Sequence, residues 1–243
     1  FAKSGEIQQG SSYIFHNGTI CLIKFIRSLP TEIRLTNFDA AIIYETSKTD
    51  GIDTTKTFSV EGTLQNGTAL QVVEVEAHAF DKLEWLPTFW GAKAQVTVGP
   101  MYKAHVAAAI KERSNPLERT VYSHTGWIQK NSKFFYLTNG GGIAATGFDK
   151  DAETELKGAL VDYDLPTPNK KHTQNLSAIL HQFNDLIDDG AALLIVGAAF
   201  RAPLSEFKRC TVSLFLQGTT GTFKSAIAGC IQAFFGRNFN GAH

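Results

Sequence analysis

Cysteine is scarce in this chain. Cys21, Cys210 and Cys230 are the three in 243 residues. They are far apart and odd in number, with no C-x-x-C pair and no Cys/His cluster along the sequence, so no zinc site is expected. Such sparse use fits a reducing compartment, and a cytoplasmic location is expected. An excess of charge is missing as well: 23 basic side chains face 23 acidic ones. That balance excludes a strong global field drawing in nucleic acid and leaves room only for a local basic patch. Long apolar runs are absent. The longest, Ala191 to Phe200, is too short to span a bilayer, and no secretory signal is present, so no membrane partner is expected. The glycosylation-like triplets at Asn17, Asn66 and Asn175 are accordingly chance matches. No internal repeat or low-complexity tract is visible.

What the chain does have is a hydrophobic fraction of 43%, enough for one large domain or two small ones. The first 140 or so residues read mostly as strand. Asn17-Gly18 and Asn66-Gly67 each sit between β-rich runs, the strongest short hairpin signal. "FDAAIIYETSK" reads as a further strand and "DKLEWLPTFWG" as a short helix ending at Gly91. "MYKAHVAAAIKERS" has helical spacing at Tyr102, Val106, Ala109 and Ile110, and a hairpin is expected to turn near Asn131-Ser132. After Gly142 the character changes. A proline-bearing connection leads to a helix over "TQNLSAILHQFNDLIDDG", with Leu176, Ile179, Leu180, Phe183, Leu186 and Ile187 on one face. "AALLIVGAAFRAPL" reads as a second, buried helix. The expectation is an α+β protein: a β-rich domain over residues 1–145, then a helical connection and the start of a P-loop α/β core over residues 146–243.

Chemistry concentrates in "CTVSLFLQGTTGTFKSAIAGCIQAFFG", residues 210 to 236. "TVSLFLQ" (211 to 217) suits a central parallel strand. The turn Gly218-Thr219-Thr220-Gly221-Thr222 allows backbone N–H groups to converge, and the following helix N-terminus attracts anions. Lys224 would reach the β- and γ-phosphates of a nucleotide, and the Ser225 hydroxyl would help hold Mg²⁺. Ile227, Ile231 and Phe234 mark the buried face of the helix. The departure from the G-x-x-x-x-G-K-[ST] pattern is Phe223, in place of the second glycine. A phenylalanine there is expected to keep ordinary helical angles in the first turn and to aim its ring into apolar packing. The plain alternative is a strand–turn–helix crossover with a chance lysine. The chain begins at Phe1 and stops just past this helix, where such a core needs more strands, so a fragment of a longer protein is expected.

Further segments fall in a familiar order: "LTNFDAAII", "EGTLQNG", "WLPTFWGAKAQVTVG", "VYSHTGWIQKNSKFFYLTNGGGI", "DYDLP", "FRAPL" and "LQGTTGTFKSAIAGCIQAFFG". Together, from about Tyr13 to Gly236, they resemble a family of uncharacterised domains in replication proteins of plasmids, phages and genomic islands, described as primase–helicase-like ATPases. "HTGW" and "TGTFKS" are the most specific pieces. The resemblance implies a RecA-like or related ring ATPase that binds ATP with Mg²⁺ and moves on or remodels DNA. It also implies that the T-G-T-F-K-[ST] form is a family variant. Gly218, Gly221, Lys224 and Ser225 carry over as phosphate and Mg²⁺ contacts. No Walker B acid, sensor or arginine finger carries over, so the chain by itself is expected to lack turnover. The alternative from another class is a non-catalytic nucleic-acid or protein-binding module with a vestigial glycine loop.

Other residues invite a sharper and a plainer reading. Trp127, Lys130, Lys133 and Tyr136, with Phe134 and Phe135, interleave aromatics and lysines on one hairpin and could track single-stranded DNA. A sheet with one buried face carries the same residues. His124 reads as a hydrogen-bonding core histidine. Gly140-Gly141-Gly142 reads as a flexible linker, since a second phosphate loop would need a lysine and a helix. Asp162 reads as part of a strand or turn. Arg201 is either an inter-subunit contact or a surface residue.

Overall fold

The computed structural model describes residues 12–149, 152–165, 177–179, 181–183, 185, 187 and 189–239. It is a mixed α and β protein with a β-rich N-terminal region. The chain divides into two compact units, Phe1–Thr120 and Val121–His243. The strands between residues 126 and 149, grouped by the sequence reading with the first part, lie in the second unit.

The first unit opens with an antiparallel three-stranded sheet, β1 (Tyr13–His16), β2 (Thr19–Ile26) and β3 (Leu29–Arg34). Asn17 and Gly18, at φ 49° and 65°, make the tight turn between the first two strands, as the Asn-Gly pair predicts. The β2–β3 turn is made by Arg27 and Ser28, at φ 50° and 67°. Neither residue is glycine or asparagine, so this hairpin left no turn signal in the sequence. Alternation places Tyr13, Phe15, Ile20 and Leu22 toward the core, while His16, Thr19, Cys21 and Glu32 take the other face.

The long strands β4 (Phe38–Thr49), β5 (Thr54–Leu64) and β6 (Ala69–Glu76) pair antiparallel. A bulge falls between Ile42 and Tyr44. The Ile42 N–H donates instead to Ser114 Oγ at 2.7 Å, just past helix α2 (Tyr102–Arg113). α2 buries Val106, Ala109 and Ile110 of the expected stripe, with Ala107 beside them, while Tyr102 is half-buried. After the short helix α1 (Ala77–Phe80), a helical turn Leu86–Trp90 ends at Gly91, at φ 64°. Its aromatics form the centre of the core. Trp85 lies 5.6 Å from Phe80 and 5.0 Å from Trp90, and Trp90 meets Phe38 edge-on at 5.5 Å. Both indole N–H groups are satisfied, Trp85 on Phe80 O at 3.1 Å and Trp90 on Gln71 O at 2.8 Å. Gly62 lets Trp90 come this close, since a Cβ there would stand 2.7 Å from Trp90 Cη2. Strand β7 (Leu117–Tyr122) carries Arg119, whose Nε donates to Thr46 Oγ1 at 2.8 Å with the guanidinium over the Tyr44 ring.

In the second unit β8 (Gly126–Lys130), β9 (Lys133–Thr138), β10 (Gly141–Ala144) and β11 (Gly147–Asp149) form an antiparallel meander. Asn131 and Ser132 turn the first hairpin, both with positive φ. The triple glycine is no linker: Gly141 and Gly142 are buried in β10. A Cβ on Gly142 would sit 2.7 Å from Ala152 Cβ and 3.3 Å from Phe135, so close packing explains the glycine. β12 (Glu153–Thr154) pairs in parallel with Val121 and Tyr122, and Asp162 closes a 3₁₀ turn. Residues 177–179, 181–183 and 185 are helical. Leu176, Leu180 and Leu186 of that expected stripe lie outside the described residues. Helix α3 (Asp189–Arg201) settles the second apolar segment as helix and buries Ala192, Ile195, Val196 and Ala199. Helix α4 (Lys224–Gln232) follows the glycine loop. Among the described residues no helix is long and apolar enough to cross a membrane.

Candidate functional site

The glycine loop is held by its own hydrogen bonds. Thr222 Oγ1 donates to Thr219 O at 2.8 Å. The Lys224 ammonium folds back and donates to Gly218 O at 2.9 Å, Thr219 O at 2.8 Å and Thr222 Oγ1 at 3.1 Å. All three of its N–H bonds are thereby used. Gly218 is required at the mouth of this fold-back: a Cβ there would meet Thr222 Oγ1 at 2.8 Å. Gly221 stands at φ 90° and Phe223 at φ 55°, so two left-handed residues bracket Thr222 and wrap the chain around the lysine.

Two expectations about Phe223 are corrected. It is the residue before the helix, not part of its first turn, and its backbone is left-handed at φ 55°, ψ 18°. Its ring is 78% exposed rather than packed. The loop needs this conformation to reverse the chain into α4, and a glycine would adopt it without strain. Phe223 O accepts the first helical bond, from Ile227 N at 2.9 Å. No side chain caps this end, so the first-turn N–H groups have no partner within the helix. Ser225 is exposed in that turn, beside Lys224. Ile227, Ile231 and Phe234 are half-buried, and Phe234 meets Phe200 of α3 edge-on at 6.0 Å.

The expected strand over 211 to 217 is absent: these residues carry no regular structure. Val212, Leu214, Phe215 and Leu216 are exposed. A strand exists through hydrogen bonds to a neighbour, and no described residue pairs with this stretch. The apolar pattern alone therefore does not make it a strand here.

The hairpin candidates are brought together, but around the protein's own rings. Trp127 packs against Tyr136 and Phe207, both at 5.1 Å, and its indole N–H donates to Pro203 O. The Tyr136 and Tyr163 hydroxyls hydrogen-bond to each other. Burial and that bond push the Tyr163 hydroxyl far above its usual pKa. Tyr163 in turn stacks on Phe235 at 5.6 Å. Phe135 and Leu137 fill the opposite face of the hairpin, so both faces carry packing. Lys130 and Lys133 stand opposite each other beside the turn, and Phe134 keeps half its surface open although Phe207 lies 5.5 Å away. His124 is half-buried, with Nδ1 3.1 Å from Thr125 O. The Arg201 guanidinium donates to Lys208 O, within its own unit. In the first unit, a cavity of about 220 Å³ has the Asp39–Arg113 ion pair in its wall, and those charges answer each other.

Comparison of the chain with protein-family models, with curated proteins and with solved structures gave no match.

Proposed function

We propose that residues 218–225 bind the phosphates of a nucleoside triphosphate, ATP by the resemblance, together with Mg²⁺. On this reading the chain belongs to a helicase-like or translocase-like ATPase of mobile-element DNA replication, with a RecA-like core and a ring-shaped homo-oligomer in the full-length protein. The observation that carries the reading is the Lys224 ammonium resting on Gly218 O, Thr219 O and Thr222 Oγ1 at the start of α4.

The residues present fit the group. Gly218 keeps open the space a Cβ would take, and the uncapped helix end offers N–H groups to an anion. Gly218, Thr219, Thr220, Gly221 and Thr222 would supply the backbone cradle. Lys224 would turn from the carbonyls to phosphate oxygens, which accept more strongly because they are charged. The Ser225 hydroxyl would hold Mg²⁺ through the nucleotide. Mg²⁺ held there would supply neutralisation of the phosphate charge. No residue here is assigned to activate water.

The second reading, a binding module with a vestigial loop, draws support from the stretch 211 to 217, which pairs with no described residue. The single-stranded DNA role of Trp127, Lys130, Lys133 and Tyr136 rests on the interleaving of aromatic and basic residues together with the resemblance, and with Trp127 packed, Lys133 and Phe134 are its exposed part. Calorimetry with Mg-ATP separates the two readings. Binding lost in Lys224→Ala supports the nucleotide site. Lys224→Ala binding as well as wild type makes the loop structural.

A further inference from the structure

The first sheet gathers three metal-ligating side chains that the sequence keeps apart. Cys21 lies on the central strand β2, paired with Ile14 of β1 and Arg34 of β3. His16 pairs with Thr19, and Glu32 with Ile23. Both positions are diagonal to Cys21 on the same face. From the flanking strands the two side chains lean across β2 and meet, His16 Nε2 against Glu32 Oε1. The imidazole nitrogen, the carboxylate oxygen and the Cys21 sulfur all lie within 4.8 Å of one another. This cluster belongs to the first unit and has no part in the glycine loop.

We infer that His16, Cys21 and Glu32 form a binding site for a zinc-class divalent cation, with a fourth position open to water. The donor set is one thiolate, one imidazole and one carboxylate, the three ligand types a borderline-soft cation takes. Zinc bonds of about 2.0–2.3 Å place donors roughly 3–4 Å apart, so the directly bonded His16–Glu32 pair would open slightly to admit the cation while the ligand atoms, all within 4.8 Å of one another, need no large movement. The sulfur is supplied from below by a residue only 2% exposed. The His16 and Glu32 side chains, 36% and 44% exposed, leave an entry path and space for water. Charge closes as well: a divalent cation on a thiolate, a carboxylate and a neutral imidazole is neutral overall. Arg34, the neighbouring cation across from Cys21, leans toward Gln65 Oε1 at 3.5 Å.

Outer contacts of the kind a ligated site needs are present. The Asn17 side-chain amide lies 3.4 Å from His16 Nδ1. Turned so that its oxygen faces the ring, it would accept the Nδ1 proton and fix the tautomer that presents Nε2. Thr19 Oγ1 donates to His16 O at 2.8 Å and stands 3.7 Å from the Cys21 sulfur. On binding, the Cys21 proton leaves to solvent and no redox change occurs. The metal would tie β1, β2 and β3 together across one face. The signal in the sequence was faint. Only the Asn17-Gly18 turn, which folds His16 back beside the strand carrying Cys21, hints at it, and Glu32 arrives through the β2–β3 turn that the sequence did not mark.

Cobalt(II) tests the site, because a thiolate-to-cobalt charge-transfer band reports sulfur ligation directly. Chelator-treated protein is titrated with Co²⁺, and Zn²⁺ is then added to displace it. The expected result is one equivalent bound with the band, and loss of the band on adding zinc. Cys21→Ser should abolish it. His16→Ala and Glu32→Gln, at exposed positions that leave folding intact, should each weaken binding by at least the roughly tenfold that loss of an outer partner costs. Cys210→Ser with Cys230→Ser should change nothing, although both thiols are exposed. The inference is overturned by absence of the band, by a band that survives in Cys21→Ser, or by full affinity in both His16→Ala and Glu32→Gln.

Discussion

Substituting Phe223 reads the loop's backbone directly. A left-handed backbone costs a non-glycine residue roughly 1–2 kcal/mol. Phe223 is 78% exposed, so about a fifth of a ring that buries some 150–250 Å² is covered, roughly 40 Å². At about 25 cal/mol per Å² that contact contributes roughly 1 kcal/mol. Phe223→Gly relieves the strain, loses the contact and adds about 0.5–1 kcal/mol of chain entropy, so it stays within roughly 1 kcal/mol of wild type. Phe223→Ala loses the contact and keeps the strain. Glycine should therefore beat alanine here by about 0.5–1 kcal/mol, the reverse of a helix interior, where alanine wins by about 1 kcal/mol. The readout must be local, because α4 is largely exposed and opens without global unfolding. The Ile227 amide, bonded to Phe223 O, provides it through hydrogen exchange. Its protection should be about two- to fivefold higher in the glycine variant than in the alanine variant, the ratio that this energy difference gives. Equal or greater protection in Phe223→Ala refutes a left-handed residue at this position.

Two further outcomes follow from the first unit. Gly62→Ala places a Cβ 2.7 Å from Trp90 Cη2, in an indole pinned by its bond to Gln71 O. It should cost about 1–3 kcal/mol, as overpacking does, seen as a lower urea midpoint at unchanged slope; a wild-type midpoint refutes it. Burial pushes the Glu74 carboxyl up, but the Thr57 hydroxyl and the Lys48 ammonium outweigh it and hold the group below its usual pKa. A depressed native pKa gives stability that is complete above the unfolded value of about 4.3 and fades as pH falls through the native value. The stability gap between wild type and Glu74→Gln should thus be constant from neutral pH to about 5 and shrink below about 4; a gap independent of pH refutes it.

What was legible in the sequence was local. Asn17-Gly18 and Asn66-Gly67 announce their turns because those residues adopt left-handed backbone at little cost, and α2 follows from its apolar spacing. Arg27-Ser28 makes the same kind of turn with residues that do not announce it, so β3 went unread. Gly140-Gly141-Gly142 reads as a linker from its letters because what demands Gly142, Ala152 and Phe135 pressing on β10, comes from elsewhere in the chain. Residues 211 to 217 have a strand's composition but no pairing partner among the described residues, and pairing is not a property of a single segment. Lys224 and its loop were visible as a spacing. The cost hidden at Phe223 was not, since a dihedral angle leaves no mark on the letter. His16, Cys21 and Glu32 show the same limit: only the register of three strands brings them together.

If residues 218–225 take phosphate as proposed, the closed posture of Lys224 makes the loop a competitive device. With its three N–H bonds already on Gly218 O, Thr219 O and Thr222 Oγ1, the ammonium gains from a ligand only the difference between the new acceptor and the old. A neutral hydroxyl or amide oxygen offers no such gain and leaves the lysine where it is. A dianionic phosphate would, at the expense of the contacts to two carbonyls and a hydroxyl. A phosphate site built this way would select by acceptor strength before shape is consulted. On the proposed reading, nucleosides and sugars without phosphate would be refused by the same contacts that hold the loop folded.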